Sequence, residues 1–155
     1  AMTLQKIKGF TPNDFSNYHP SGNLGKKLNL TLKNLIDEKR KPMVDMSSSF
    51  LDVIDEISTK MYGATAVLDG NNIIGIITDG DIRRVIKKKQ NIEEIYARDC
   101  MSKNPKTMNQ STLAIDALKN MKKNNISQVI ITNDDNKYAG IVHILDIIKQ
   151  RISHE

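Results

Sequence analysis

Two stretches of the chain carry apolar residues at the three- and four-residue spacing that is typical of a helix with one buried face. We predict helices over about 50–61 and 113–124. Their apolar positions are Phe50, Val53, Ile54, Ile57 and Met61 in the first, and Leu113, Ala117, Leu118 and Met121 in the second. Residues 47–49 are serines, and Ser111 and Thr112 precede the second stretch. Because hydroxyl side chains are favoured helix caps, we expect them to begin the two helices.

A pair of short apolar runs follows each predicted helix, with a tetrad of turn-forming residues between the runs. We predict strands over 65–68 and 73–77, and again over 128–132 and 138–142. Polar tetrads between apolar runs indicate hairpins. A further helix is predicted to close each half, at about 81–89 and 145–152. Ile82, Val85 and Ile86 would form the buried stripe of the first of these helices.

The two halves of the sequence are internal repeats of one structural unit. The run GIITDGDI at 75–82 aligns with GIVHILDI at 140–147 at an offset of 65 residues, while 52–54 aligns with 116–118 at an offset of 64. One additional residue in the second hairpin turn accounts for the change in offset. A unit of this size buries little apolar surface alone. We therefore expect the halves to share a core as a pseudo-twofold pair, joined through residues 90–94.

The order helix–strand–strand–helix, found twice, with Gly-Ile-Ile-Thr-x-x-Asp at the end of the second strand, resembles a pair of cystathionine-beta-synthase-type (CBS) domains. The resemblance covers about residues 28–152. It implies an α+β fold, a tandem CBS domain pair built from two βαββα-type repeats at 28–90 and 91–155.

A second resemblance involves the N-terminal part of the chain. The residues that carry it are Gly9-Phe10-Thr11, Asp14-Phe15, His19 to Lys27 and Thr78 to Arg84. Together they are similar to the D-arabinose-5-phosphate isomerase family, in which a sugar isomerase (SIS) domain precedes a CBS pair. The resemblance implies that residues 1–27 are the end of the SIS domain and its linker. It also implies a parent enzyme that interconverts D-ribulose 5-phosphate and D-arabinose 5-phosphate, in Kdo and lipopolysaccharide synthesis.

The same resemblance assigns His19 to the isomerase active site of the parent enzyme. Histidine suits acid–base catalysis near neutral pH, although a plain linker histidine is the alternative interpretation. No second acid–base group accompanies His19, and the sequence has no Gly/Ser-rich phosphate loop. We therefore expect this chain itself to be catalytically inactive and to need no cofactor.

Thr78 and Asp81 lie where a predicted strand gives way to a helix. Backbone N–H groups at a helix N-terminus favour anions, and a carboxylate accepts hydrogen bonds from ribose hydroxyls. The CBS resemblance implies that this Thr-x-x-Asp pattern holds the ribose and phosphate of a nucleotide. A helix cap explains the same aspartate without a ligand, and both interpretations stay open.

The second copy keeps the carboxylate as Asp146 and replaces the threonine with His143. The imidazole could contact a phosphate or carboxylate, or it could be a polar residue of the cleft between the halves. Arg83 and Arg84 are further phosphate-binding candidates because a guanidinium binds oxyanions in a bidentate manner. Since the neighbouring apolar residues face inward, we expect at least one of these arginines to face solvent.

Two equivalent segments precede the long helices. Met43 and Val44 lie in the first and Thr107 and Met108 in the second. The CBS resemblance implies that these segments line the base pocket, whereas a short edge strand is the structural alternative.

Composition narrows the class of partner. The 155 residues carry a net charge of +5, but the positive residues are scattered, aromatic residues make up 5%, and tryptophan is absent. Base-stacking platforms are therefore not expected, and neither is nucleic-acid binding. No apolar run approaches the roughly 18 residues of a membrane span. The single cysteine, Cys100, predicts no internal disulfide and no metal site, and we interpret it as a small buried hydrophobe.

Two functions remain open. The first is a sensor of a nucleotide or nucleotide sugar, with CMP-Kdo or an adenine nucleotide as the ligand, that regulates a cytoplasmic isomerase. The second is a purely structural module that binds no ligand. In both cases we expect self-association as a dimer, and a tetramer in the parent protein, because Phe50, Ile54, Ile57 and Met61 would leave apolar surface uncovered.

Overall fold

The computed structural model describes residues 28–88 and 91–150. Residues 1–27, and His19 with them, lie outside these ranges. The first half contains a 3-10 helix at Leu32–Leu35, β1 (Met43–Asp45), α1 (Phe50–Lys60), β2 (Ala64–Asp69), β3 (Asn72–Thr78) and α2 (Asp79–Lys87). The second half contains a 3-10 helix at Ile92–Glu94, α3 (Ala97–Cys100), β4 (Ser102–Lys103), β5 (Thr107–Asn109), α4 (Ala114–Asn124), β6 (Gln128–Thr132), β7 (Tyr138–His143) and α5 (Ile144–Ile148).

Two small mixed sheets form the centre of the molecule. The first has the order β1-β2-β3-β4, and the second has the order β5-β6-β7. In each sheet the first strand is parallel to the second, and the second is antiparallel to the third. Ala64 pairs with Thr78 in one hairpin and Gln128 pairs with His143 in the other. The second hairpin therefore contains one more residue, as the change of repeat offset predicts, and the α+β repeat is confirmed.

Each half sends a segment across to the other. We call residues 30–36 and 95–101 the crossing segments. The Ala114 N–H at the start of α4 donates to the Leu30 carbonyl (2.7 Å), and the Phe50 N–H at the start of α1 donates to the Ile95 carbonyl (3.0 Å). Because these contacts are reciprocal, they relate the two halves by a pseudo-twofold axis.

Three apolar clusters follow from this exchange. The first-half core receives Ile95, Ala97 and Cys100 from the second crossing segment. The second-half core receives Leu32 from the first crossing segment. A third cluster joins the two sheets, and its buried members are Tyr62, Ala64, Ala66, Ile130 and Ile141. The apolar surface that neither half could bury alone is thus covered by the other half.

Some local expectations are corrected by the structure. Ser49 caps α1, its hydroxyl accepting from the Asp52 N–H (3.1 Å). The prediction that Ser111 and Thr112 cap the second long helix is wrong, because Leu113 holds the N-cap position of α4 without a side-chain hydrogen bond. Ser111 instead bonds to the Asn109 side chain.

The helix α2 buries a narrower stripe than the sequence predicts. Val85 is buried and Ile82 is half-buried, whereas Ile86 is exposed. The expected uncovered apolar surface of α1 is likewise wrong for Phe50 and Ile57, which are both buried in the first-half core. The second crossing segment completes that core, and nothing within the first half's own sequence indicates its presence.

Candidate functional site

Two clefts lie at the junction of the halves. Cleft A has a volume of about 570 Å³ and is lined by Gly63, Ile76, Thr78, Asp79, Gly80, Arg83, Pro105, Lys106, Asn125, Ile126, Ser127 and Gln128. Cleft B has a volume of about 220 Å³ and is lined by Arg40, Met61, Tyr62, His143, Leu145, Asp146 and Lys149. Thr78 and His143 are equivalent residues of the two repeats, so the clefts are related by the pseudo-twofold axis.

Cleft A is built around the junction of β3 and α2. Thr78 ends the strand and caps the helix: its hydroxyl accepts from the Asp81 N–H (3.4 Å), and the Asp81 carboxylate accepts from the Thr78 N–H (2.9 Å). This reciprocal arrangement is a capping box. The capping box fixes the backbone of Thr78, which lines the cleft together with the first residues of α2.

Asp81 itself is 7% exposed and is not among the residues lining cleft A. The Arg84 guanidinium forms an ion pair with the Asp81 carboxylate, and Arg84 is otherwise largely exposed. The cap interpretation of Asp81 is therefore what the structure shows. Ribose binding by Asp81 stays a prediction, and it would require the carboxylate to share or lose its contact with Arg84.

The charged side chains of cleft A come from both halves. Arg83 extends from α2, and Lys106 extends from the segment before β5. The Asp79 carboxylate also lines the cleft, while the Asp79 N–H donates to the Gly63 carbonyl (3.1 Å). Two cations and one carboxylate thus line the cleft together with the N-terminus of α2, and Lys106 Nζ donates to the Asn124 side chain (2.7 Å). This combination suits a ligand with both phosphate and hydroxyl groups.

Cleft B repeats the backbone geometry with different side chains. His143 caps α5 through Nδ1, which accepts from the Leu145 N–H (3.0 Å). The Asp146 carboxylate accepts from the His143 N–H (3.1 Å), as Asp81 does from Thr78. The imidazole therefore takes over the capping role of the threonine hydroxyl.

Two of the side chains that line cleft B form a stacked pair. The Arg40 guanidinium lies 4.9 Å from the centre of the Tyr62 ring, and its Nε is 3.0 Å from the Asp37 carboxylate. The backbone N–H of Lys39 and the guanidinium lower the pKa of Asp37. The hydrogen bond to Asp37 raises the pKa of Arg40. Both groups are therefore charged at neutral pH.

The four residues predicted to line a base pocket are not among the residues that line the two clefts, and their contact with a base stays a prediction. Val44 belongs to the first-half core, and Met108 packs against the second-half core. Met43 is exposed. Thr107 lines a third pocket of about 440 Å³ together with asparagine side chains of both halves. None of these four residues lines cleft A or cleft B.

Other lining residues were not predicted as ligand contacts. Lys106, Ile126 and Gln128 come to cleft A from the second half, and Arg40 and Tyr62 come to cleft B from the first. No local motif marks them. The available signal was the repeat alignment, which places Tyr62 opposite Ile126 and so indicates that the two clefts differ.

Comparisons with known proteins decide the family. The CBS domain family profile matches residues 33–88 and 97–153. The chain belongs to the CBS domain family. The matches cover both repeats, so the predicted CBS pair is confirmed.

Curated relatives are sugar-phosphate isomerases. The chain is 38% identical over 147 residues to arabinose 5-phosphate isomerase KpsF of Escherichia coli, covering 94% of this chain and 45% of KpsF. It is 35% identical over 150 residues to arabinose 5-phosphate isomerase KdsD of Francisella tularensis, covering 96% of this chain and 46% of KdsD. The chain therefore spans a little under half the length of these relatives.

Solved structures with the same fold include nucleotide complexes. CBSX2 in complex with AMP superposes with a TM-score of 0.65 at 18% identity, over 79% of this chain and 96% of CBSX2. The CBS domain protein PAE2072 from Pyrobaculum aerophilum, complexed with AMP, gives a TM-score of 0.68 at 16% identity, over 80% of this chain and 100% of PAE2072. At these identities the likeness establishes the fold of the CBS pair.

Two further observations concern other classes of site. Within residues 28–88 and 91–150, no helix is both long and apolar enough to span a membrane. The same residues contain no group of three or more His, Cys, Asp or Glu side chains placed to hold a metal ion.

Proposed function

We propose that this chain is the regulatory CBS pair of a cytoplasmic arabinose-5-phosphate isomerase and that it binds an anionic nucleotide in cleft A. The isomerase relatives support the first part of the proposal. The volume and charge of cleft A support the second, since 570 Å³ falls within the range of small-molecule sites. The observation that carries the proposal is that Arg83 and Lys106, from different halves, line one cleft together with the capped start of α2.

The chemistry of cleft A matches the parts of a nucleotide. Arg83, Lys106 and the α2 N-terminus would hold the phosphate. Thr78 and Asp79 offer hydrogen-bonding oxygens to the ribose. Ile76 and Ile126 line the same cleft and provide an apolar surface for a base.

Two kinds of nucleotide satisfy this chemistry. AMP is the ligand named for two CBS proteins of the same fold, which favours an adenine nucleotide. CMP-Kdo combines ribose, phosphate and carboxylate, and it would act as a feedback ligand if the parent enzyme serves Kdo synthesis. An enzyme controlled in this way would slow its own pathway when the activated sugar accumulates.

Isothermal titration calorimetry with AMP, ATP and CMP-Kdo tests the proposal. We expect at least one of them to bind the wild-type chain, and the affinity to fall about 10- to 100-fold in Arg83→Ala and in Lys106→Ala, because each loses a charge-assisted hydrogen bond. Lys119→Ala is the matched control: it removes one cation from an exposed position of α4 outside both clefts, and it should bind like wild type. If all three nucleotides fail to bind at millimolar concentration, the proposal falls.

A structural module is the second candidate function, favoured by exposed apolar side chains on the helices. Leu51, Ile86 and Leu145 are each more than half exposed, and Met61 at the end of α1 is more exposed still. A second copy of the chain is the occupant that the expected dimer, or a tetramer of the parent protein, would supply. Sedimentation equilibrium and the calorimetric titration together distinguish the candidates: a structural module gives a dimer and shows no heat of nucleotide binding, whereas a sensor shows that heat.

A further inference from the structure

We infer that the chain binds a single nucleotide, in cleft A, because its own Tyr62 and Arg40 narrow the second site, cleft B. The inference rests on the proposed function and deepens it by assigning the site and the stoichiometry. It follows from a comparison of equivalent positions in the two repeats.

Tyr62 and Arg40, which line cleft B, have smaller, uncharged counterparts in the other repeat. Tyr62 and Ile126 each follow a left-handed residue that ends a long helix, Met61 in one half and Asn125 in the other. Met43 of β1 pairs with Ala66, and Thr107 of β5 pairs with Ile130, so equivalent positions here are 64 residues apart. Asn104 is therefore the counterpart of Arg40. Where cleft B has a phenol ring and a guanidinium, the other repeat has Ile126, which lines cleft A, and Asn104, which lines the third pocket and leaves cleft A open.

The phenol ring is anchored rather than loosely placed. Tyr62 is 4% exposed and belongs to the cluster that joins the two sheets. Its carbonyl accepts a hydrogen bond from the Gln128 side chain (3.1 Å), which itself lines cleft A. Moving the ring out of cleft B would therefore disturb the contact between the sheets.

The Arg40 guanidinium narrows cleft B further. Arg40 stacks on the ring at 4.9 Å, is paired with Asp37, and donates to the Lys60 carbonyl (3.5 Å). The volume left in cleft B is about 220 Å³, against about 570 Å³ in cleft A. Small-molecule sites measure roughly 300–1,000 Å³, so of the two equivalent clefts only cleft A falls within that range.

Calorimetric titration with AMP and with ATP measures the number of sites directly. We expect one site per chain in the wild type. The variant Tyr62→Ile/Arg40→Asn gives cleft B the equivalent residues of the other repeat, and we expect it to bind two nucleotides. The matched control is Tyr96→Ile/Arg98→Asn, which removes the chain's other arginine–tyrosine stack, 4.7 Å apart and outside both clefts, and should keep one site.

Photolabelling with 8-azido-AMP locates the site in the wild-type chain and does not depend on the folding of any variant. We expect label in peptides containing 78–83 or 125–128 and none in peptides containing 143–149. Two wild-type sites, label at 143–149, or a folded Tyr62→Ile/Arg40→Asn variant that still binds one nucleotide would each overturn the single-site inference alone. Absence of binding of AMP, ATP and CMP-Kdo to the wild type would overturn the proposed function, and the inference with it.

Discussion

At the scale of single residues, the glycine of each Gly-Ile repeat run is explained by the crossing segments. A Cβ on Gly75 would lie 2.5 Å from the Met101 sulfur, and a Cβ on Gly140 would lie 3.0 Å from Ile36 Cγ2. Met101 and Ile36 are themselves equivalent residues of the two repeats. The glycines are thus required by the close approach of the other half's chain.

Gly75→Ala tests this explanation. We expect it to lower the free energy of unfolding by about 1–3 kcal/mol, because the new methyl group overpacks the contact with Met101. Gly80→Ala is the control: its Cβ would have no neighbour closer than 3.6 Å, and alanine favours a helix over glycine by up to about 1 kcal/mol. Urea denaturation of both variants measures the difference, and equal stability of the two would contradict the steric explanation.

Cys100 lies in the first-half core although its sequence position is in the second half. Burial raises the pKa of its thiol from the usual 9.0 to about 11, and the nearby carboxylates of Asp81 and Asp99 add to the shift. The folded protein therefore holds the thiol proton more tightly than the unfolded chain does.

This pKa shift predicts a loss of stability at alkaline pH. Stability from the Cys100 thiol is fully present below pH 9 and is lost as the pH rises through about 11, because only the unfolded chain releases the proton readily in that window. Urea midpoints at pH 8, 9.5 and 11 should fall more steeply for wild type than for Cys100→Ala. Parallel curves would show that the thiol does not contribute.

At the scale of elements, the two long helices begin differently although the repeats align. Ser49 provides a side-chain cap for α1, whereas Leu113 occupies the same position of α4 and provides none. Both helices nevertheless begin with a residue whose N–H is bonded to a crossing segment. The tertiary hydrogen bond to Leu30 thus fixes the start of α4 without a side-chain cap.

Exchanging the cap residues tests this asymmetry. Ser49→Ala should lower the free energy of unfolding by about 1 kcal/mol, since the Asp52 N–H loses its acceptor. Leu113→Ser should raise it by a few tenths to about 1 kcal/mol, because the new hydroxyl can accept from the first turn of α4. Thermal unfolding of both variants measures whether each change raises or lowers the free energy of unfolding. A destabilised Leu113→Ser would mean that the leucine side chain contributes more through packing than a cap would.

At the scale of the whole molecule, the exchange of crossing segments makes the halves interdependent. Leu32 packs into the second-half core, and Ile95 packs into the first-half core. The strand β4 adds to the first sheet from the second half. The Tyr138 hydroxyl donates to the Pro42 carbonyl (2.6 Å) across the same junction.

Separate fragments test this interdependence. We expect residues 28–90 and residues 91–155 to be largely unfolded when produced alone, because each lacks part of its own core. When mixed, they should fold together, and circular dichroism should show a cooperative unfolding transition that neither fragment shows alone. A cooperative transition in either isolated fragment would contradict the prediction.

The sequence by itself determined the repeat, the order of its helices and strands, and the additional residue of the second hairpin. These follow from local periodicity and turn chemistry, which the aligned runs at 75–82 and 140–147 repeat. It also placed Thr78 and His143 at equivalent strand ends. It could not decide whether Asp81 caps a helix or faces a ligand, since both need a carboxylate at the same position.

Only the tertiary structure decided which cleft is large enough for a nucleotide and what completes each core. Arg40 and Tyr62 are far from His143 in sequence and meet it in cleft B only when the two halves pack. Lys106 and Arg83 line cleft A together for the same reason. Periodicity indicates which face of an element is apolar, but it does not specify which distant segment covers that face. The covering segment is determined by the pseudo-twofold exchange of the crossing segments.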